Sequence, residues 1–177
     1  MRHFFGIPDE EFIRGDVPMT KCEIRKAVMN EASIEAALAA PKGHVYAIER
    51  FDKGIELIHE NMKKFNVNNM TVIKSKAPEG MEDLPELDAV IIGGSAGGMT
   101  GIMDEVQRLL KVGGRLVVTA VTMETGYTIL KELKGRPFTY EGYQMSISRY
   151  RKAGPYHLLD PLSPIFIVSA TRIAEGE

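Results

Sequence analysis

The chain has little of several features that would define its class at once. Its 177 residues contain one cysteine, Cys22, so an internal disulfide is excluded. The formal net charge is -2, and the Lys and Arg residues are scattered along the sequence, so no basic patch for nucleic acid or an anionic membrane is indicated. No apolar run approaches the ~20 residues of a membrane span, and the N-terminus has no signal-peptide core. We therefore expect a cytoplasmic protein with one domain over 1–177 that binds a small molecule.

An apolar run that ends in glycines lies at the centre of the chain. Residues 88–92 read DAVII and are followed by GGSAGG at 93–98. A run of Val and Ile without polar alternation predicts a strand buried on both faces of a parallel sheet. In such sheets ligands lie beyond the carboxyl ends of the strands, so Gly93 and Gly94 are candidates for the floor of an active site. A plain turn between a strand and a helix is the alternative.

Strand and helix patterns alternate along most of the chain. After an irregular arm over 1–20, a capping box of Thr20 and Glu23 predicts the start of a helix. Further helices are predicted at 33–40, from Asp52, at 103–110 and at 127–133. Strands are predicted at 45–48, 71–73, 87–92, 115–120, 143–150 and 165–170, the last two joined by a long loop. This order predicts an α/β fold with a mostly parallel sheet and a C-terminal antiparallel hairpin.

Glu49 stands at the end of the strand predicted at 45–48. A carboxylate in this position can accept hydrogen bonds from both hydroxyl groups of a ribose, as nucleoside-binding folds require. A solvated Glu beside Arg50 is the alternative interpretation.

Five segments together resemble one family. They are GIPDEEF at 6–12, VPMTK at 17–21, VYAIER at 45–50, APE at 77–79 and IGGS at 92–95. They resemble the cobalt-precorrin C15-methyltransferase (decarboxylating) family of cobalamin biosynthesis, which is related to the C-terminal half of precorrin-6Y methylase. The resemblance spans nearly the whole chain and weakens after Gly135.

The resemblance implies a Rossmann-like class I methyltransferase that uses S-adenosylmethionine. Such an enzyme would methylate C15 of a corrinoid precursor, with loss of carbon dioxide from the ring-C acetate. By motif, the cofactor-binding residues would be Thr20, Glu49, Ala77, Gly93 and Gly94. Ser95 would contact the macrocycle. The resemblance also implies a homo-oligomer, with a tetramer among the candidates.

Cations near the C-terminus are candidates for binding the carboxylate groups of a corrinoid. They are Arg149, Arg151, Lys152 and His157. A solvated strand edge protected by charge is an equal alternative. Methyl transfer requires alignment of donor and acceptor above all, so we assign no catalytic residue and no metal site.

The chain departs from the family pattern before the Ala77 motif. Where many relatives have Gly-Asp, this sequence has Ser75-Lys76. An Asp could accept a hydrogen bond from the adenine amino group, whereas a Lys cannot. Recognition of adenine would then fall to backbone amides.

A larger departure lies between Met29 and Asn30. The family has a central strand and a glycine-rich cofactor loop there, and this sequence has neither. Two buried strands without their common partner would leave backbone groups unpaired at about 1–3 kcal/mol each. We favour the interpretation that the protein contains this segment and that the 177-residue sequence omits it. A genuine deletion is the alternative, and it would predict an inactive or misfolded protein.

Two other functions are kept as alternatives. One is a methyltransferase that acts on RNA or protein, although the low basic charge argues against RNA. The other is a catalytically silent binding module that has lost its cofactor loop. Cofactor binding separates this module from the enzymes, and supplying a corrinoid precursor separates the two enzymes.

The intact mass of the purified protein tests the missing segment. A mass well above 19.6 kDa, together with micromolar binding of S-adenosylmethionine in a calorimeter, is the result we expect. A mass that matches the chain, with no binding heat, would contradict it and would favour the silent module.

Overall fold

The computed structural model describes residues 7–15, 33–94 and 97–176. The chain forms two compact units, Met1–Pro85 and Glu86–Glu177, called unit 1 and unit 2 below. The predicted helix from Thr20 lies outside the described residues. Within the described ranges, no helix combines the length and the apolar character that crossing a membrane requires.

In unit 1 the described residues, 7–15 and 33–85, form two helices and two strands. After a 3-10 turn at Asp9–Glu11 come α1 (Ser33–Ala39), β1 (Val45–Glu49), α2 (Asp52–Phe65) and β2 (Met70–Lys74). The two strands pair in parallel, from Val45 opposite Met70 to Glu49 opposite Lys74. All four elements confirm sequence predictions to within one or two residues.

Two asparagines fix the ends of the described helices in unit 1, one through its side chain and one through its backbone conformation. Asn69 donates from Nδ2 to the carbonyls of Ala37 and Ala40, both at 2.9 Å, which satisfies free acceptors at the end of α1. Asn66 ends α2 in the left-handed region at φ 53°, which Asn tolerates better than most residues. These contacts explain why the chain turns before β1 and before β2.

The core of unit 1 is small and apolar. Seven buried residues form it, and Ile58, Met62 and Phe65 of α2 pack against them with partial exposure. The buried residues are Ile7, Phe12, Ile34, Ala37, Ala47, Val67 and Met70. The sequence predicts an apolar stripe of Ile55, Ile58, Met62 and Phe65 on α2, and the last three of these face this core.

Unit 2 contains six strands and two helices. They are β3 (Leu87–Ile92), α3 (Met99–Leu109), β4 (Leu110–Ala120), α4 (Met123–Leu133), β5 (Phe138–Met145), β6 (Ser148–Ala153), β7 (Tyr156–Pro161) and β8 (Ile165–Arg172). One sheet has the order β3-β4-β8-β5, and β6 and β7 form a separate hairpin. β3 and β4 are parallel, while β8 is antiparallel to β4 and to β5. This arrangement confirms the predicted α/β fold with antiparallel strands at its end.

Three predictions for unit 2 are corrected. β3 is not buried on both faces, since Asp88 and Ala89 are exposed. β3 is also the edge strand of its sheet, with no strand from the described residues along its other side. α3 begins at Met99, four residues before the predicted start at 103, and ends at Leu109, one residue before the predicted end.

The predicted long loop between 143–150 and 165–170 is also wrong. The chain breaks at 146–147 and then forms the hairpin of β6 and β7, with Gly154 at its turn in the left-handed region at φ 60°. All of β7 and most of β6 are exposed. A strand that is exposed on both faces shows no apolar alternation, which is why the sequence pattern did not reveal it.

The core of unit 2 lies between the sheet and its two helices. α3 packs against α4, and α4 packs against β4. Fully buried side chains come from all three elements: Met103, Val106, Leu116, Val118, Ile129 and Leu133.

A polar network links α3 to α4 at the surface of this core. Thr100 Oγ1 donates to Glu132 Oε1 at 2.6 Å. Arg136 donates to Glu132 Oε2 at 3.0 Å and to Asp104 Oδ1 at 2.7 Å. The bond from Thr100 is the main reason that the pKa of Glu132 lies below its ordinary value, and Arg136 adds to this effect against partial burial.

Substitution of Thr100→Val should lower the free energy of unfolding at pH 7 by about 1 kcal/mol, since one hydrogen bond to a carboxylate is lost. The folded-state pKa of Glu132 is depressed, so this stability is present above the ordinary pKa of about 4.3 and is lost as pH falls through the depressed value. Urea unfolding at pH 7 and pH 3 checks this.

Thr128→Val is the matched control, because Thr128 donates to the carbonyl of Glu124 within its own helix and to no carboxylate. If Thr100→Val lowers the free energy of unfolding by the same amount at both pH values, the bond from Thr100 to the Glu132 carboxylate is not the source of the effect.

Candidate functional site

The carboxyl edge of β1 and β2 carries two of the predicted cofactor residues. Glu49 is the last residue of β1, and Ala77 lies in the turn that follows β2. Parallel pairing places both strand ends at the same edge, with Glu49 opposite Lys74. Unit 1 therefore presents Glu49 and the turn of Ala77 at the same edge of its sheet.

The carboxylate of Glu49 is held against the start of α2. Its Oε1 accepts a hydrogen bond from Phe51 N at 2.8 Å. Its backbone carbonyl accepts from Ser75 N at 3.2 Å, which ties β1 to the segment after β2. A carboxylate at the N-terminus of a helix is favoured by the helix dipole.

Ala77 is half-buried and joins Pro78 through a cis peptide bond. Lys76, the preceding residue, is exposed. Backbone groups of this turn thus remain the candidates for contacts to a base.

Sequence reasoning missed an aromatic side chain beside Glu49. The Phe51 ring is 53% exposed, and the Arg50 guanidinium lies 4.3 Å from its centroid. A Phe two residues after the acid at a strand end is a signal that could have been used, since a flat apolar surface suits a nucleoside base. Asp52, the next residue, forms an ion pair with Lys74.

Gly93 and Gly94 follow β3 in unit 2 and are both exposed. A Cβ atom added at either position would meet no atom within 4 Å. Within the residues that the structure describes, the space beside both glycines is therefore open, which would allow a ligand to approach the backbone. Ser95 and Thr20 lie outside the described residues.

The predicted cations lie on both faces of the hairpin formed by β6 and β7. Arg149 and Arg151 share one face, since alternate residues of a strand point the same way. His157 pairs with Lys152 on the other face. Arg149 stands opposite Asp160, so its charge is partly compensated.

Each unit thus presents predicted residues at the carboxyl ends of its parallel strands. In unit 1 these are an oriented carboxylate and a backbone turn; in unit 2 they are two open glycines. A carboxylate can accept from a vicinal diol, and open glycines permit close approach of a ligand to the backbone.

The fold matches that of known methyltransferases. An S-adenosylmethionine-dependent O-methyltransferase of Thermotoga maritima superposes with a TM-score of 0.63 at 22% identity, over 81% of this chain and 56% of that one. The fold is therefore that of the S-adenosylmethionine-dependent methyltransferases.

More specific matches follow over almost the whole chain. The family model described as a precorrin methyltransferase domain matches residues 29–172. The probable cobalt-precorrin-6B C(15)-methyltransferase (decarboxylating) of Sulfurisphaera tokodaii is 34% identical, over 92% of this chain and 95% of that protein. The precorrin-6y C5,15-methyltransferase structure of Geobacter metallireducens superposes with a TM-score of 0.87 at 31% identity, covering 95% and 98% of the two chains. The chain belongs to the precorrin methyltransferase family.

The alignment with the S. tokodaii protein also shows a difference in length. It extends over 184 positions, but 92% of 177 residues is about 163, so about 21 positions have no counterpart in this chain. The relative therefore carries sequence that this chain lacks. That the missing sequence belongs between Met29 and Asn30 stays a prediction.

Proposed function

We propose that this protein methylates C15 of cobalt-precorrin-6B with S-adenosylmethionine and removes carbon dioxide from the ring-C acetate. The observation that carries the proposal is the match over 92% of the chain to a relative named for this reaction. In the reaction the methyl carbon leaves the sulfonium and bonds to the macrocycle, while the acetate loses its carboxyl group. The pathway is cobalamin biosynthesis.

The described residues fit the nucleoside part of the cofactor. Glu49 has an oriented carboxylate for the ribose hydroxyls, and Gly93 and Gly94 would leave room for the methyl donor beside the backbone. Ala77 would present its backbone to adenine. When bound, S-adenosylmethionine supplies an electrophilic methyl group, so the main task of the protein is to align donor and acceptor.

Arg149 and Arg151 are proposed to bind carboxylate arms of the substrate. They share one face of an exposed hairpin, so both can reach the same ligand. His157, on the opposite face, would require a different contact. We also propose that the reaction takes place in the cytoplasm.

A catalytically silent binding module is the second candidate. The roughly 21 alignment positions that this chain lacks favour it, because a methyltransferase without its glycine-rich loop loses backbone contacts to the cofactor.

Activity with cobalt-precorrin-6B and S-adenosylmethionine separates the two candidates. We expect a product heavier by one methylene and lighter by one carbon dioxide, detected by mass spectrometry. Gly94→Ala should leave the melting temperature unchanged, because its Cβ would meet no atom of the described residues within 4 Å, and should lower kcat/KM at least tenfold.

The matched control is Gly142→Ala, whose Cβ would lie 3.5 Å from Val168 in ordinary contact on a distant strand. It should retain full activity. If the native chain forms no product and does not bind S-adenosylmethionine, the enzyme proposal is wrong and the silent binding module is favoured.

A homo-oligomer built through the hairpin is also proposed. Tyr150 and Leu159 stand opposite each other on one face, at 78% and 64% exposure, and Tyr156 on the other face is 70% exposed. A two-stranded hairpin is marginal alone, and the exposed apolar pair of Tyr150 and Leu159 supports burial of that face against a further copy. The face of Arg149 and Arg151 would stay open to the substrate.

Sedimentation velocity tests this assembly. The native protein should sediment as a homo-oligomer, and the double substitution Tyr150→Glu and Leu159→Glu should yield monomers, since charge at an apolar contact is costly. Lys42→Glu, at an exposed loop position, is the control. A monomeric native protein would overturn the proposal.

A further inference from the structure

Gly54 lies in the first turn of α2 and is buried there. A Cβ atom at this position would lie 2.9 Å from both Cγ and Cδ of Glu49 and 3.2 Å from its Oε2. Real Cβ atoms do not approach carbon atoms so closely. The side chain of Glu49 thus occupies the space that any larger residue at position 54 would need.

The backbone conformation gives no reason for a glycine at position 54. Its φ lies outside the left-handed region, so other residues could adopt the same geometry. Glycine in a helix costs about 0.5–1 kcal/mol relative to alanine. A structural demand for space, and not for an unusual φ, accounts for Gly54.

The space is used to orient one carboxylate. Oε1 of Glu49 accepts from Phe51 N at 2.8 Å, while Oε2 lies over the backbone of Gly54. Oε2 receives no hydrogen bond from the part of the chain that the structure describes. One oxygen therefore anchors the carboxylate, and the other keeps its capacity to accept from a ligand.

We propose that Gly54 is a positioning residue for nucleoside binding. Its missing side chain allows the carboxylate of Glu49 to lie against the start of α2, where it accepts from the vicinal hydroxyls of a ribose. This inference rests on the function proposed above for Glu49.

The test is Gly54→Ala in the full chain, with S-adenosylmethionine titrated in a calorimeter. The methyl group would move a flexible side chain and not the backbone, so the melting temperature should stay the same or rise slightly. The Kd should rise at least tenfold, because a charge-assisted hydrogen bond is lost.

A double-mutant cycle shows whether the effect passes through Glu49. In a Glu49→Ala background, Gly54→Ala should cause no further rise in Kd, since the carboxylate that it displaces is already gone. A purely structural role for Gly54 would give the same fold-change in both backgrounds.

Gly126 provides the matched control. It occupies the fourth position of α4, as Gly54 occupies the third of α2, and a Cβ there would lie 3.7 Å from the ring of Phe166 in ordinary contact. Gly126→Ala should leave the Kd unchanged.

The outcomes separate this inference from the proposed function. Native binding with an unchanged Kd for Gly54→Ala overturns the role of Gly54 and leaves the methyltransferase proposal intact. A large loss of melting temperature in Gly54→Ala would make the glycine structural and also overturn the role. No binding by the native chain overturns both.

Discussion

Main-chain pairing on both sides of β4 is the constraint on which unit 2 depends. Val118 of β4 stands opposite Ile92 of β3 in the parallel direction and opposite Val168 of β8 in the antiparallel direction. A parallel neighbour requires a crossover, and α3 supplies it on the face that also receives α4. The same pairing fixes where β3 ends, and hence where the open glycines Gly93 and Gly94 stand.

In unit 1 the end of a parallel strand likewise sets the position of a candidate site residue, the carboxylate of Glu49. Only two residues separate Glu49 at the end of β1 from Asp52 at the start of α2. So short a connection keeps the acid within reach of the first backbone N–H groups of the helix. The strand end and the helix start thus act together: one presents the carboxylate and the other orients it.

The sequence predicted the elements whose burial leaves a pattern. Apolar runs between turn residues located β1, β2 and β3, and the stripe of α2 located its buried face. The hairpin of β6 and β7 was missed because exposure on both faces removes that pattern. At the site, the position of Glu49 after a strand was readable, but the role of Gly54 was not, since it depends on how the side chain of Glu49 folds back.

The contrast between Gly54 and Gly126 bears on how this chain could adapt to heat. Replacing helical glycines by alanine is a general route to a higher melting temperature, because alanine restricts the unfolded chain and favours the helix. Gly126 has room for the added methyl group, so selection for thermostability can act there freely. At Gly54 the same change would displace the side chain of Glu49, so a lineage that keeps this carboxylate in place must gain its stability elsewhere.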